Sequence, residues 1–105
     1  MTTPSGVVIM DNVKAELLYR ARTYFREDAF AEVVLWKVPK PLRGSPHSYK
    51  YRLALVVNDE CVLRYDNEAG KGDHRHVGGR EEAYTFTDPE TLLADFSADV
   101  ERMLE

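Results

Sequence analysis

The stretch YKYRLALVV at residues 49–57 constrains the fold more than any other part of the sequence. Its aromatic and aliphatic residues alternate with Lys50 and Arg52 at a period of two, which is typical of a β-strand with one buried face. The polar residues 58–60 then form a tight turn, and residues 61–65 have the composition of an antiparallel partner. The sequence therefore predicts a β-hairpin in the middle of the chain.

Further strands are expected on both sides of this hairpin. Residues 13–25 alternate as a strand would, although they also fit one face of a helix. The polar break at 26–29 and the β-rich run at 30–38 favour a second hairpin, so we interpret residues 13–25 as a strand. Residues 39–47, PKPLRGSPH, contain three of the five prolines and predict a loop. A short strand is also expected at 82–86.

The end of the chain carries the signals of an amphipathic helix. The segment TDPE at residues 87–90 supplies a capping side chain, a proline suited to the first turn, and a carboxylate at the positive end of the helix dipole. Apolar residues then recur at helical spacing from Leu92 to Leu104. These elements predict an α+β fold, in which an antiparallel sheet of four to five strands packs against one C-terminal helix.

A chain of 105 residues is long enough for one core, so we interpret residues 1–105 as a single domain. Residues 1–12 show no sustained period and predict a flexible or weakly paired lead-in. No apolar run approaches the roughly 20 residues of a membrane span, and no signal-peptide pattern is present. The single Cys61 cannot form an internal disulfide. We therefore expect a cytoplasmic protein that makes no membrane contact.

Charge is distributed unevenly along the chain, whose formal net charge is −4. Residues 1–42 hold six Lys and Arg against five Asp and Glu, for +1, and residues 43–80 hold seven against five, for +2. Residues 81–105 hold one against eight, for −7. The middle of the chain can therefore present a basic surface to an anion, while the acidic tail is either a solvated helix face or a contact for a basic partner.

The segment YDNEAGKGDHRH at residues 65–76 contains the densest set of chemically versatile side chains. Gly70 and Gly72 allow the backbone to turn and to approach a ligand closely, and Lys71 places a charge between them. His74 and His76 are two residues apart, so they project to the same side wherever this segment is extended. Imidazoles placed in this way bind a metal or exchange protons near neutral pH.

Three kinds of chemistry and one purely structural alternative fit this segment. The His-x-His pair with nearby carboxylates suits a zinc site, but His47 lies 27 residues before His74, which is no familiar metal spacing. The same histidines suit metal-independent phosphodiester chemistry on RNA, with cations stabilising phosphate charge. The cations also suit anion or nucleic-acid binding without catalysis. The structural alternative is a solvent-exposed glycine turn.

Three stretches together resemble one known family: GSPHSYKYRLAL at 44–55, RYDNEAGKGDHRHVGGREEAYTF at 64–86 and LLADFSADVERML at 92–104. They are similar to the TumE family of small bacterial and archaeal toxin–antitoxin proteins, and the resemblance spans about residues 14–104. It implies a toxin that slows growth when free and whose partner is a helix-turn-helix antitoxin. The residues carried over as members of the shared motif are Asp66, Asn67, Lys71, Asp73, His74, His76 and Arg80.

Residues and resemblance together predict a toxin that acts on RNA by metal-independent, ribonuclease-like chemistry, with no cofactor. The alternative is a non-enzymatic binding module whose loop docks a protein or nucleic-acid partner. The sequence leaves open whether the chain forms a homodimer. The expected catalytic residues are His74, His76 and Asp66, and the expected substrate-binding residues are Lys71, Arg75, Arg80, His47 and Asn67.

Overall fold

The structure is a computed structural model that describes residues 7–10, 13–68 and 70–105. Within these residues the strands form one antiparallel sheet, in which each strand pairs with its neighbours in sequence from β1 at one edge to β7 at the other. The elements are β1 (Val7–Met10), β2 (Val13–Arg26), β3 (Ala29–Lys37), β4 (Tyr49–Val57), β5 (Glu60–Asp66), β6 (His74–Val77), β7 (Arg80–Ala83) and α1 (Pro89–Leu104).

The predicted α+β class and the single C-terminal helix are confirmed, whereas the sheet has more strands than the predicted four to five. Strand β1 lies within the predicted lead-in, of which residues 1–6 and 11–12 fall outside the described part of the chain. Strand β6 has no apolar alternation, so its sequence resembles a polar loop. Strand β7 begins earlier than the expected 82–86, because the turn at Gly78, with φ 60°, closes the hairpin two residues after β6.

Helix α1 covers the central part of one face of the sheet. Its buried residues Leu92, Phe96 and Val100 pack against the core residues that alternate along the central strands, including Leu53 and Leu63. The helix begins as predicted: Asp88 is the N-cap, and its carboxylate accepts a hydrogen bond from the Thr91 backbone N–H at 2.7 Å. No helix in the described part of the chain is long and apolar enough to cross a membrane.

Side chains alternate between the two faces of the sheet. We call the face that packs against α1 the helix face and the opposite one the open face. Leu63 and Tyr65 of β5 are buried on the helix face, so the alternating Arg64 and Asp66 point to the open face. Strand β6 continues this pattern, because His74 pairs with Asp66 and His76 pairs with Arg64. The register therefore places both histidines on the open face.

Candidate functional site

Five side chains meet on the open face where β5, β6 and β7 run side by side. The register aligns Arg64, His76 and Glu81 across the three strands, and it places Asp66 beside His74. Arg64 Nε also lies 2.9 Å from Asp66 Oδ2. We call these five residues, Arg64, Asp66, His74, His76 and Glu81, the open-face site.

His76 is held by a cation on one side and a carboxylate on the other. Arg64 Nη2 is 2.9 Å from His76 Nε2. Because a guanidinium can only donate, this contact makes Nε2 the acceptor and places the ring proton on Nδ1. Glu81 Oε2 lies 3.8 Å from that Nδ1. The arrangement fixes the orientation and the tautomer of His76.

His74 faces acceptors with both of its ring nitrogens. Its Nε2 donates to the backbone carbonyl of Lys71, and its Nδ1 lies 3.0 Å from Glu81 Oε1. The second contact is within ion-pair distance but lacks the alignment of a hydrogen bond. Because both neighbours are acceptors, either ring nitrogen of His74 can serve as the donor. Donation of an imidazole proton is general-acid chemistry.

A polar cleft of about 450 Å³ adjoins this site. The side chains of Lys50, Arg52, Arg64 and Lys71 line it, together with Asp66 and Glu68, so four positive charges face two negative ones for a local charge of +2. Lys71 Nζ and Glu68 Oε2, which belong to two exposed side chains, lie 3.7 Å apart. Concave surfaces with an excess of cations attract anionic ligands.

Arg75, an expected substrate-binding residue, projects to the helix face because it lies between the two histidines on β6. Its Nη1 is 2.9 Å from Asp99 Oδ2, and its Nη2 is 2.5 Å from Glu82 Oε1. Asp99 is only 5% exposed and also accepts a hydrogen bond from the Tyr65 hydroxyl. Arg75 therefore connects the sheet to helix α1, away from the open-face site.

His47 belongs to a second cluster, centred on the carboxylate of Asp73. His47 Nε2 and the Tyr51 hydroxyl lie 2.6 Å and 2.7 Å from Asp73 Oδ2, and the Tyr49 backbone N–H donates to His47 Nδ1 at 3.2 Å. The His47 ring also stacks on Phe86, with 3.9 Å between centroids. Burial, aided by the bond to Asp73, raises the pKa of Tyr51. Both ring nitrogens of His47 are thus occupied. Nε2 joins loop 38–48 to the segment before β6, and Nδ1 accepts from the backbone of β4.

Of the other two expected substrate-binding residues, Asn67 lines the cleft beside the open-face site, and Arg80 lies outside both. Asn67 is 1% exposed; its side chain accepts from the Tyr51 backbone N–H at 2.9 Å and donates to the Tyr49 carbonyl at 2.6 Å. Its side chain therefore joins the start of strand β4 to the residue that follows strand β5. Arg80 is exposed at the start of β7.

Five contributors to the open-face site and its cleft are absent from the expected site residues: Arg64, Glu81, Lys50, Arg52 and Glu68. Arg64 and Arg52 alternate with buried residues on predicted strands, so strand parity alone would have placed both on the open face. Glu81 joins the site through β7, whose short polar stretch carries no strand signal. Within the described residues, no group of three or more His, Cys, Asp or Glu side chains is arranged to hold a metal ion.

The fold and the site define a small α+β protein whose helix-free sheet face carries a cation-lined cleft beside two histidines. The family model described as Toxin TumE matches residues 5–104. The chain therefore belongs to the TumE toxin family and is a toxin component of a toxin–antitoxin system, which implies an antitoxin as its partner. Comparisons with curated proteins and with solved structures found no significant match.

Proposed function

We propose that this toxin acts on RNA through its open face, by ribonuclease-like chemistry that needs no metal. The observation that carries the proposal is the position of His74 and His76, which share one strand face beside a cleft with a local charge of +2. Proton transfer and phosphate binding are the two functions that cleavage of a phosphodiester requires. The open face brings groups suited to both functions together.

The cleft supplies the binding part of the proposal. Lys50, Arg52 and Lys71 would contact phosphate oxygens of a single strand, since cations along a groove follow a nucleic-acid backbone. Arg64 lies between this cleft and His76. Its guanidinium would contact the phosphate that reacts. Arg75 and His47 take no part in this proposal, because their side chains are committed to Asp99 and Asp73.

The histidines supply the proton transfers. Residues two apart on a strand have Cα atoms about 7 Å apart, which allows two imidazoles to flank one phosphate. When Arg64 turns to a phosphate oxygen, His76 Nε2 is freed to accept the proton of the ribose 2′-hydroxyl, and the O2′–P bond forms. His74 Nδ1, which has no hydrogen-bond partner among the described residues, turns from Glu81 and donates its proton to O5′ as the P–O5′ bond breaks. The products are a 2′,3′-cyclic phosphate and a 5′-hydroxyl.

Asp66 would act as a positioning residue in this scheme. Its Oδ2 lies 2.9 Å from Arg64 Nε, so it would hold the guanidinium beside His76 until a phosphate binds. The antitoxin is proposed to be of the helix-turn-helix type, and the pair to act in the cytoplasm, where the RNA substrate is found.

The decisive experiment incubates the purified toxin with total RNA, with and without EDTA. We expect the toxin to cleave the RNA equally well with and without EDTA and to leave fragments that end in a cyclic phosphate. Cleavage that EDTA abolishes would exclude the metal-independent mechanism. RNA that stays intact while the protein still arrests growth would exclude ribonuclease action and favour a binding module.

A further inference from the structure

Helix α1 leaves part of the helix face uncovered along β2. A groove of about 350 Å³ runs between the helix and this strand. Tyr19 and Phe25 of β2 line it and are 47% and 46% exposed. Ala21, Val33 and Leu93 complete an apolar floor. An apolar groove beside a helix is the kind of surface on which a second amphipathic helix docks.

The border of this groove is acidic. Glu101 is exposed and lines it, and no Lys or Arg side chain lines it among the described residues. Glu90 lies on the same stripe of α1 by helical periodicity, with the exposed Ser97 between Glu90 and Glu101. An apolar floor with an acidic border complements an apolar helix face flanked by Lys and Arg.

We infer that the α1–β2 groove docks an amphipathic helix of the antitoxin, with large aliphatic residues against the groove and basic residues opposite Glu101. The charge pattern distinguishes this occupant from the alternatives. A second copy of this chain would bring Glu101 close to its symmetry mate in an isologous contact. Residues 1–6 of the chain itself, MTTPSG, contain no Lys or Arg.

The groove and the open-face site lie on opposite sides of the sheet. Residues of β2 that line the groove pair with helix-face residues of β3, such as Ala21 with Val33. The inference therefore stands independently of the RNA proposal. Antitoxin bound in the groove leaves the cleft open, so neutralisation would not require the two ligands to compete for one surface.

The first test uses two synthetic 18-residue helices that share a leucine face and differ only in their flanking residues, Lys in one and Glu in the other. Fluorescence anisotropy with the labelled peptides should give at least ten-fold tighter binding for the Lys peptide. Tyr19→Ser should weaken that binding about ten-fold. The matched control is Tyr24→Ser, since Tyr24 is 59% exposed on the open face of the same strand. Equal affinity for the two peptides, or an equal effect of the two substitutions, would overturn the inference.

The second test uses the full toxin–antitoxin complex. Glu101→Lys should weaken antitoxin binding about ten-fold, whereas Glu60→Lys, at the exposed β4–β5 turn, should not. Antitoxin affinity that is unchanged by both Tyr19→Ser and Glu101→Lys would contradict the assignment. A wild-type dimer that dissociates on the Tyr19→Ser substitution would also contradict the assignment, because a second copy of the chain would then occupy the groove. Tighter binding of the Lys peptide after deletion of residues 1–6 would instead identify the chain's own N-terminus as the occupant.

Discussion

Arg75 Nη1 lies 2.9 Å from Asp99 Oδ2, so the residue between the two histidines of β6 is bound to helix α1 on the opposite side of the sheet. The contact separates the functions of three consecutive residues. His74 and His76 lie on the open face beside the cleft, while Arg75 anchors the strand that carries them. The stability of the helix packing and the position of the histidines are therefore coupled through β6.

Replacing Asp99 should destabilise the fold, because it leaves the Tyr65 hydroxyl and Arg75 without their shared acceptor. Asp99 is 5% exposed, and charge-assisted hydrogen bonds of this kind contribute about 2 kcal/mol each. We expect Asp99→Ala to lower the free energy of unfolding by about 2 to 4 kcal/mol in urea denaturation. Glu101→Gln, on the exposed side of the same helix, should change it by less than about 0.5 kcal/mol. Equal effects would show that the buried network adds nothing.

High pH should unfold the protein through its buried tyrosines. Burial raises the pKa of Tyr51, Tyr65 and Tyr84 above the ordinary value near 10. Their stabilising effect is complete below the unfolded-state pKa and is lost as the pH rises towards the folded-state values. In a titration above about pH 10, part of the tyrosinate absorbance should appear together with the loss of circular dichroism. If every tyrosine ionises while the circular dichroism keeps its neutral-pH value, the burial of these hydroxyls is contradicted.

Gly72 should tolerate a side chain less well than Gly78, although both have positive φ. At Gly72, with φ 75°, a Cβ atom would lie 2.9 Å from the Gly44 carbonyl oxygen. At Gly78, with φ 60°, the same atom meets nothing within 4 Å. Gly78→Ala should therefore cost about 1 kcal/mol for the backbone conformation alone, and Gly72→Ala at least about 1 kcal/mol more. Thermal denaturation of the two variants measures the difference, and equal melting temperatures would exclude close docking of the two loops.

Removing two cations from the cleft should weaken RNA binding and its dependence on salt. Each phosphate contact to a single strand contributes about 0.7 to the slope of log K against log salt. Lys50→Ala with Arg52→Ala should therefore reduce that slope by about 1.4, measured with a labelled oligoribonucleotide from low to moderate salt. Arg26→Ala with Lys40→Ala removes the same charge outside the cleft and should leave the slope nearly unchanged. If both pairs reduce it equally, binding is diffuse rather than confined to the cleft.

The sequence predicted those parts of the fold that depend on local patterns. The alternation at 49–57 gave β4 with the bounds observed, and the TDPE segment gave the start of the helix with Asp88 as its cap. Strand β6 was not predicted because three of its four residues, H-R-H, are polar and are half-buried against the side chains of neighbouring strands. Its existence depends on hydrogen bonds to β5 and β7, which no local pattern records.

The candidate site was predictable in part. Strand parity brings His74 and His76 to one face, and the same rule would have separated Arg75 from them once β6 was recognised. The pairing of His47 with Asp73 joins residues 26 positions apart. Such contacts arise from the docking of two loops and leave no periodic signal in the chain.

The most direct test of the catalytic claim is the growth of cells after induction of His74→Ala and His76→Ala variants, followed together with RNA cleavage by the purified proteins. Thr85→Ala, an exposed change beside β7, is the control, and each variant is first compared with the wild type by its melting temperature. We expect either histidine substitution to lower cleavage at least 100-fold and to relieve growth arrest while the fold persists. Undiminished toxicity and cleavage in either folded variant would contradict the proposed role of that histidine.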